Sequence, residues 1–418
     1  MSSPAFPVAN LLAWFRAYAR DLPWRRTTDP YAIWVSEIML QQTQVKTVIP
    51  YWERWMRELP TIQSLAEAPE QKLLKLWEGL GYYTRVRNLQ KGALQIIERH
   101  DGKFPTTHED ILALSGIGRY TAGAIGSIAF NQPVPLLDGN VIRVLTRFYG
   151  ISENAKEKET TNRLWAIAEE LVTEAFKLPA APISLSSNRE AELRQERAGE
   201  RRPNKSDAKR TSKEHSASNL LLPSEGRRIE DEGCQSSGKP SSGTNCSHLN
   251  QSLMELGATI CTPIAPACLL CPLQKACIAN RDSRQSELPN LGERAAATQR
   301  RFFAYVIQQG PKVLVRQRPT GVVNAGLWEF PNIEVELKTK DPLNAAQQAW
   351  SQAFTTTEPL CTIKHSITRY RITLEAFRAE IKPRAELPAE LGEWYPLDKL
   401  HDLPFTSAHG KIRKKLLG

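Results

Sequence analysis

The chain has 418 residues, 41% of them apolar and 24% charged, and carries a formal net charge of +10 at pH 7. That length allows two or three domains with cores of their own, and the basic excess favours a polyanionic partner. The opening "MSSPAFPVAN" lacks the basic start and apolar run of a signal peptide, and no segment approaches the roughly 18 uninterrupted apolar residues of a membrane span. The expectation from these features is a soluble, intracellular protein of the cytoplasm with no membrane span.

In chain order, residues 8 to about 178 read as one helix after another. "VANLLAWFRAYARD" places Val8, Leu11, Leu12, Phe15 and Ala19 at helical spacing, and Pro30, Pro50, Pro60, Pro69 and Pro105 punctuate the chain beyond it, several at helix starts. "WVSEIMLQQTQV" then sets Glu37 among Ile33, Trp34, Ile38, Met39 and Leu40. An ionised, unpaired carboxylate is costly in such company. Either the helix turns Glu37 to water or to an arginine, or a desolvated, protonatable carboxyl group is wanted there.

"LSGIGRYTAGAIGSIAF" describes a tight hairpin, with Gly116 and Gly118 between two helices and the second starting near Arg119. A plain helix–helix turn explains it; so does a loop whose backbone N–H groups approach a phosphate at a helix N-terminus. "PLLDGNVIRVLTRFYG" comes next, with Asp138 heading a helix that turns Val141, Leu145 and Phe148 inward. Asp138 reads as a turn residue or cap, yet the same position stabilises a carboxylate as the anion. With Glu37 pushed toward the neutral acid and Asp138 toward the anion, the two form the pattern of an acid beside an anionic stabiliser.

Residues 179 to 248, rich in Arg, Glu, Ser and Lys and poor in aromatics, read as a disordered polar insertion. Helical texture resumes at "LNQSLMELGATIC". Four of the seven cysteines, Cys261, Cys268, Cys271 and Cys277, then run C-x6-C-x2-C-x5-C. Four soft thiolates from so short a loop, stiffened by Pro266 and Pro272, suit a 4Fe–4S cluster ahead of zinc, whose ribbons use two C-x2-C pairs with a longer spacer. After a linker over 283–299, Phe302–Ile307 and Val313–Val315 read as strands around Gly310-Pro311, "YRITLEAFRAEI" as another, and "LNAAQQAWSQAF" as one helix. The fold class is therefore a mainly α domain over 1–178 and 249–282, followed by an α+β domain over 300–418.

Taken together, "WVSEIMLQQTQV", "GLGYYTRVRNL", "LSGIGRYTAGAI", "LLDGNVIRV", "NQSLMELGATIC" and the cysteine loop resemble the adenine DNA glycosylase (MutY) family of the helix-hairpin-helix superfamily, over residues 5–178 and 249–282. The insertion has no place in that family's usual pattern. The resemblance implies an iron–sulfur glycosylase fold that binds double-stranded DNA as a monomer and removes adenine opposite 8-oxoguanine or guanine in base excision repair. It implies Glu37 as the general acid and Asp138 as the stabilising carboxylate, with Tyr120 and Asn140 supporting them. Arg25 and Gln251 would contact the extruded adenine, Gln42 and Tyr82 would wedge into the duplex, and Gly116 and Gly118 would meet its backbone.

A glycosylase of the endonuclease III kind, which also cleaves the strand, needs a lysine nucleophile where this chain has Tyr120, and a phenol cannot form the Schiff base. The expectation is thus a monofunctional glycosylase. A DNA-binding module without catalysis would have no use for Glu37 and Asp138 together.

From about residue 300, "VLVRQRPTGVVNAGLWEFPN" resembles the Nudix-like domain of the same family, which helps recognise 8-oxoguanine. "LNAAQQAWSQAF" lacks the acidic ladder that binds magnesium in a catalytic Nudix helix, so pyrophosphate hydrolysis is not expected. Where the family often has Phe-Ser-His in its lesion-sensing loop, this chain has Ile367, Thr368 and Arg369; Thr368 supplies a hydroxyl and Arg369 further donors.

Overall fold

The computed structural model describes residues 4–179, 244–293, 296–367 and 369–417; the polar insertion from 180 to 243 and Thr368 lie outside the described residues. The first part is helical: Val8–Tyr18 (α1), Pro30–Leu40 (α2), Val45–Glu58 (α3), Ile62–Glu67 (α4), Glu70–Leu76 (α5), Thr84–His100 (α6), His108–Leu112 (α7), Arg119–Phe130 (α8), Gly139–Tyr149 (α9), Lys158–Lys177 (α10), Asn245–Thr259 (α11) and Ile278–Arg281 (α12). Among the described residues no helix is long and apolar enough to cross a membrane.

Helix α2 shows why Glu37 is buried. Asp29 caps it, accepting from the Tyr31 amide at 3.0 Å, and Pro30 starts it with its φ already helical. Every residue from Tyr31 to Met39 is buried, so the helix runs through the interior and has no solvent face to offer a carboxylate.

Two cores flank it. One gathers Trp34, Trp55 and Trp77 with Ile38, Leu89 and Ile125. The other gathers Leu11, Leu145, Phe148, Leu164, Val172 and Leu253 from α1, α9, α10 and α11. Helix α8 gives Ile125 to the first and Ala124 to the second, and so marks the seam between them. It packs closely: a Cβ on Gly123 would lie 2.0 Å from the Pro135 carbonyl oxygen.

Helix α11 starts four residues before the expected position. Asn245, Cys246 and Ser247, read from sequence as insertion, are buried in its first turn. The Asn245 amide donates to the Leu178 carbonyl at 3.0 Å and accepts from Arg16 Nη2 at 2.7 Å, so the start of α11 is fastened to the residue that follows α10 and to α1. The linker is not free either. Leu288 is buried, and its carbonyl accepts from Arg147 Nε at 2.9 Å.

The second part is a mixed sheet. Thr298–Gln309 (β1) pairs with Lys312–Gln317 (β2) through the expected turn, and β2 pairs with Trp328–Glu329 (β3). Asn332–Val335 (β4) also lies on β1. Phe354–Ile367 (β5) and Tyr370–Ile381 (β6) form a long antiparallel hairpin, and β6 runs parallel to β1, from Thr298 beside Tyr370 to Ile307 beside Ala379. Glu393–Pro396 (β7) closes on β2.

The helix expected over "LNAAQQAWSQAF" is shorter, Pro342–Ala349 (α13). Phe354 stacks on Trp350 and meets Tyr305 edge-on, at ring distances of 5.8 and 5.9 Å, so burial in the sheet wins over helix continuation. The closing helix Ser407–Leu417 (α14) touches the helical part: Arg413 pairs with Glu78 at 3.2 Å.

Candidate active site

Glu37, Tyr120 and Asp138 come together on the seam. Glu37 is only 4% exposed, and its Oε2 accepts from the Tyr120 hydroxyl at 2.7 Å. Burial, helped by the nearby Asp138 charge, pushes Glu37 up to about 7, against the opposing pull of the Tyr120 hydrogen bond and of Arg25. The group is thus half protonated near neutrality.

Asp138 is the N-cap of α9. Its Oδ1 accepts from the Val141 amide at 2.8 Å and its Oδ2 from Asn140 Nδ2 at 2.8 Å. The expected downward shift is not found. Burial raises Asp138 above the ordinary aspartate range, although the Val141 and Asn140 hydrogen bonds and the Arg143 charge all favour the anion. Burial depth, which no sequence pattern reveals, outweighs the helix end. Both carboxyls are pushed up, and what separates them is the company each keeps: donors around Asp138, and one phenol among apolar walls around Glu37.

Arg143 orients Asn140. Its Nη2 donates to Asn140 Oδ1 at 2.8 Å, which leaves the amide nitrogen facing Asp138, and it reaches the carbonyls of Gly257 and Cys261, each at 2.8 Å. Helices α9 and α11 touch beside this contact. A Cβ on Gly257 would sit 2.6 Å from that of Asn140.

Arg25 and Gln251 meet in the same cavity as Glu37 and Asp138. Arg25 Nε donates to Gln251 Oε1 at 3.0 Å, and the Gln251 amide nitrogen donates to Ser247 Oγ at 3.0 Å. Glu255, 1% exposed, takes Arg25 Nη2 at 2.9 Å and a two-pronged contact from Arg20 at 2.6 and 2.7 Å. Burial alone would raise Glu255, but the two guanidinium groups hold it below the usual range. Arg20, Arg25, Gln251 and Glu255 line one cavity of about 500 Å³ with Glu37, Tyr120, Asp138 and Gln42. Such a cleft can take a planar base between a proton donor and an anion.

Gln42 and Tyr82 share a second, smaller cavity with Gly116, and both have left-handed backbones, φ 58° and 48°. Tyr82 is 44% exposed. Gly116 needs to be glycine: its φ is +78°, and a Cβ would lie 2.5 Å from that of Asn88. Gly118 has no such neighbour and caps α8 in an extended conformation. Arg369 lines neither cavity; it lies over the Tyr370 ring and donates to that hydroxyl at 3.2 Å.

None of the four loop cysteines is in a disulfide. Each of Cys261, Cys277 and Cys268 acts electrostatically on Cys271, and Arg147 donates to the Cys261 sulfur at 3.3 Å and to the Thr262 carbonyl at 2.8 Å. Among the described residues no three His, Cys, Asp or Glu side chains gather tightly enough for a single metal ion. Four neighbouring soft donors without a rival carboxylate fit a polynuclear iron–sulfur group, whose irons each take one thiolate.

Sequence reasoning missed Glu255, Arg143 and Arg85. Glu255 was findable by the argument used for Glu37, as a carboxylate inside the apolar run "SLMELGATI" and one helical turn from Gln251. The arginines carry no such signal, since each also needs partners far away in the chain, Gly257 and Cys261 for Arg143 and Ile38, Met39 and Gln41 for Arg85.

Residues 35–170 match the HhH-GPD superfamily base excision DNA repair protein, and 302–415 match the NUDIX domain. The adenine DNA glycosylase of Rattus norvegicus is 30% identical, over 96% of this chain and 76% of its own. That of Homo sapiens is also 30% identical, over 96% and 72%. That of Buchnera aphidicola subsp. Schizaphis graminum is 28% identical, over 96% of both chains. The chain belongs to the adenine DNA glycosylase family.

Proposed function

We propose that the protein binds double-stranded DNA and hydrolyses the N-glycosidic bond of adenine paired with 8-oxoguanine or guanine, leaving the strand intact. The observation that carries this reading is a protonatable Glu37 and a hydrogen-bonded Asp138 lining one base-sized cleft.

Glu37 protonates N7 of the extruded adenine, which turns the base into a neutral leaving group, and afterwards takes a proton from the attacking water. Asp138 faces the oxocarbenium-like sugar that forms as the bond stretches. Tyr120 and Asn140 hold these two carboxyls. Arg25 and Gln251 contact the base once it has left the stack, while Gln42 and Tyr82 occupy the duplex at the lesion and the Gly116–Gly118 turn meets its backbone. No amine stands at position 120, so no Schiff base forms and strand cleavage is not part of the reaction. Thr368 and Arg369 supply polar groups for the base opposite adenine.

The assay is a panel of duplexes with adenine opposite 8-oxoguanine, guanine or cytosine. Abasic product that breaks only after alkali, formed fastest opposite 8-oxoguanine, is the expected result. Strand scission without alkali, or no free adenine, would overturn the reading.

Cys261, Cys268, Cys271 and Cys277 would hold a 4Fe–4S cluster. When bound it would cross-link a loop that Arg143 and Arg147 already join to α9, the helix Asp138 caps. The purified protein is expected to be coloured, with the visible absorption of an iron–sulfur centre; a colourless preparation with stoichiometric zinc would refute the assignment.

A further inference from the structure

Arg85, in the first turn of α6, makes more connections than any helix-surface residue needs. Its Nη1 donates to the carbonyls of Ile38 at 2.7 Å, Met39 at 3.2 Å and Gln41 at 2.7 Å. These belong to the unpaired C-terminal end of α2, just before Gln42. Its Nη2 donates to the carbonyls of Leu80 at 2.9 Å and Gly81 at 3.0 Å, just before Tyr82. The guanidinium also lies 5.2 Å from the Trp77 ring centre and 5.9 Å from that of Tyr82.

One rigid fork thus joins two turns that are some 40 residues apart in the chain, and each turn ends on a residue held in the left-handed region, Gln42 or Tyr82. For residues other than glycine that conformation costs on the order of 1 kcal/mol each and persists only where the surroundings enforce it. Arg85 is the shared enforcer. Released from it, each turn can relax toward an ordinary backbone, and the two side chains lose their fixed separation.

We propose that Arg85 is a positioning residue that locks the two duplex-probing turns into one unit, and thereby sets the preference for a lesion-containing duplex over a paired one without acting on bond cleavage. The inference rests on the reading given under Proposed function, in which Gln42 and Tyr82 enter the duplex. Glu37 has its own partners in Tyr120, Asp138 and Arg25, none of which touches this fork.

The test uses the full chain as Arg85→Lys and Arg85→Met. Lysine keeps the charge but presents a point and not a planar fork, so it cannot serve both turns; methionine keeps only the aliphatic bulk. Melting temperature and visible absorption establish that each variant is folded. Kd is measured for a duplex with adenine opposite 8-oxoguanine and for the same duplex fully paired, and single-turnover adenine release is followed against pH at saturating enzyme.

In both variants the lesion-duplex Kd is expected to rise about tenfold or more, toward an unchanged paired-duplex Kd. The high-pH limb of the rate should keep its wild-type midpoint. Equal weakening of both duplexes, full lesion preference with lysine, or a displaced midpoint would each overturn the inference. A wild-type chain that released no adenine would remove the functional reading as well, whereas active wild type with unchanged preference in the variants would remove this inference alone.

Discussion

Glu37→Gln is expected to slow adenine release by about 10²- to 10⁴-fold, the range a positioned general acid supplies, while lesion-duplex affinity stays within a few-fold. The amide fits the same space and can still accept from Tyr120, so cleft shape is kept and only the transferable proton is lost. Single-turnover rates across pH give a second readout. With Glu37 titrating at about 7, the wild-type rate should fall roughly tenfold per pH unit above neutrality, and the residual rate of the variant should lack that limb.

The same group leaves a mark on stability. Its pKa is 4.5 in an ordinary setting and about 7 in the fold, so between those values the folded chain holds a proton that the unfolded chain has released. The contribution of Glu37 to stability is therefore fully present below about 4.5 and is lost as pH rises through 7, by about 3 kcal/mol in all. Urea unfolding should find Glu37→Gln more stable than wild type at pH 8 and equal to it near pH 4. Wild-type turnover in the variant would exclude Glu37 as the acid, and a stability gap independent of pH would exclude its burial as a neutral group.

Asp138→Asn should cost about 10²- to 10³-fold in rate, the scale of losing one preorganised electrostatic partner of the developing cation. The new side chain can still cap α9 through its oxygen, but its nitrogen meets the Asn140 nitrogen, which Arg143 holds in place. A destabilisation on the order of 1 kcal/mol should accompany the loss, too small to unfold the domain. Because Asp138 must be ionised and its pKa is raised by burial, the wild-type rate should also fall on the acid side, and that limb should vanish in the variant. The two limbs belong to the pair of interacting carboxyls as a whole. A rate within tenfold of wild type would show that no anion is needed beside the sugar.

Local signals were legible wherever neighbours in the chain decide the structure. The Pro30 start and apolar run of α2, the Gly118–Arg119 start of α8 and the alternation of β6 all appear as read. Features set by distant contacts were not legible. The polar residues Asn245 and Ser247 look like insertion until Leu178, Arg16 and Gln251 are seen around them. Glu255 gains its meaning from Arg20 and Arg25, more than 200 residues earlier. The upward shift of Asp138 comes from depth beneath other elements, which a helix-cap pattern does not contain.

The fastening of Asn245 to Leu178 makes chain length a tolerant variable at this one place in the fold. Both ends of the connection are secured by groups belonging to the helical core. Closure entropy grows only with the logarithm of length, and doubling such a connection costs about 0.6 kcal/mol. Additions at this joint are therefore nearly neutral for the catalytic scaffold, and evolution can lengthen or trim the chain there without realigning α10 against α11.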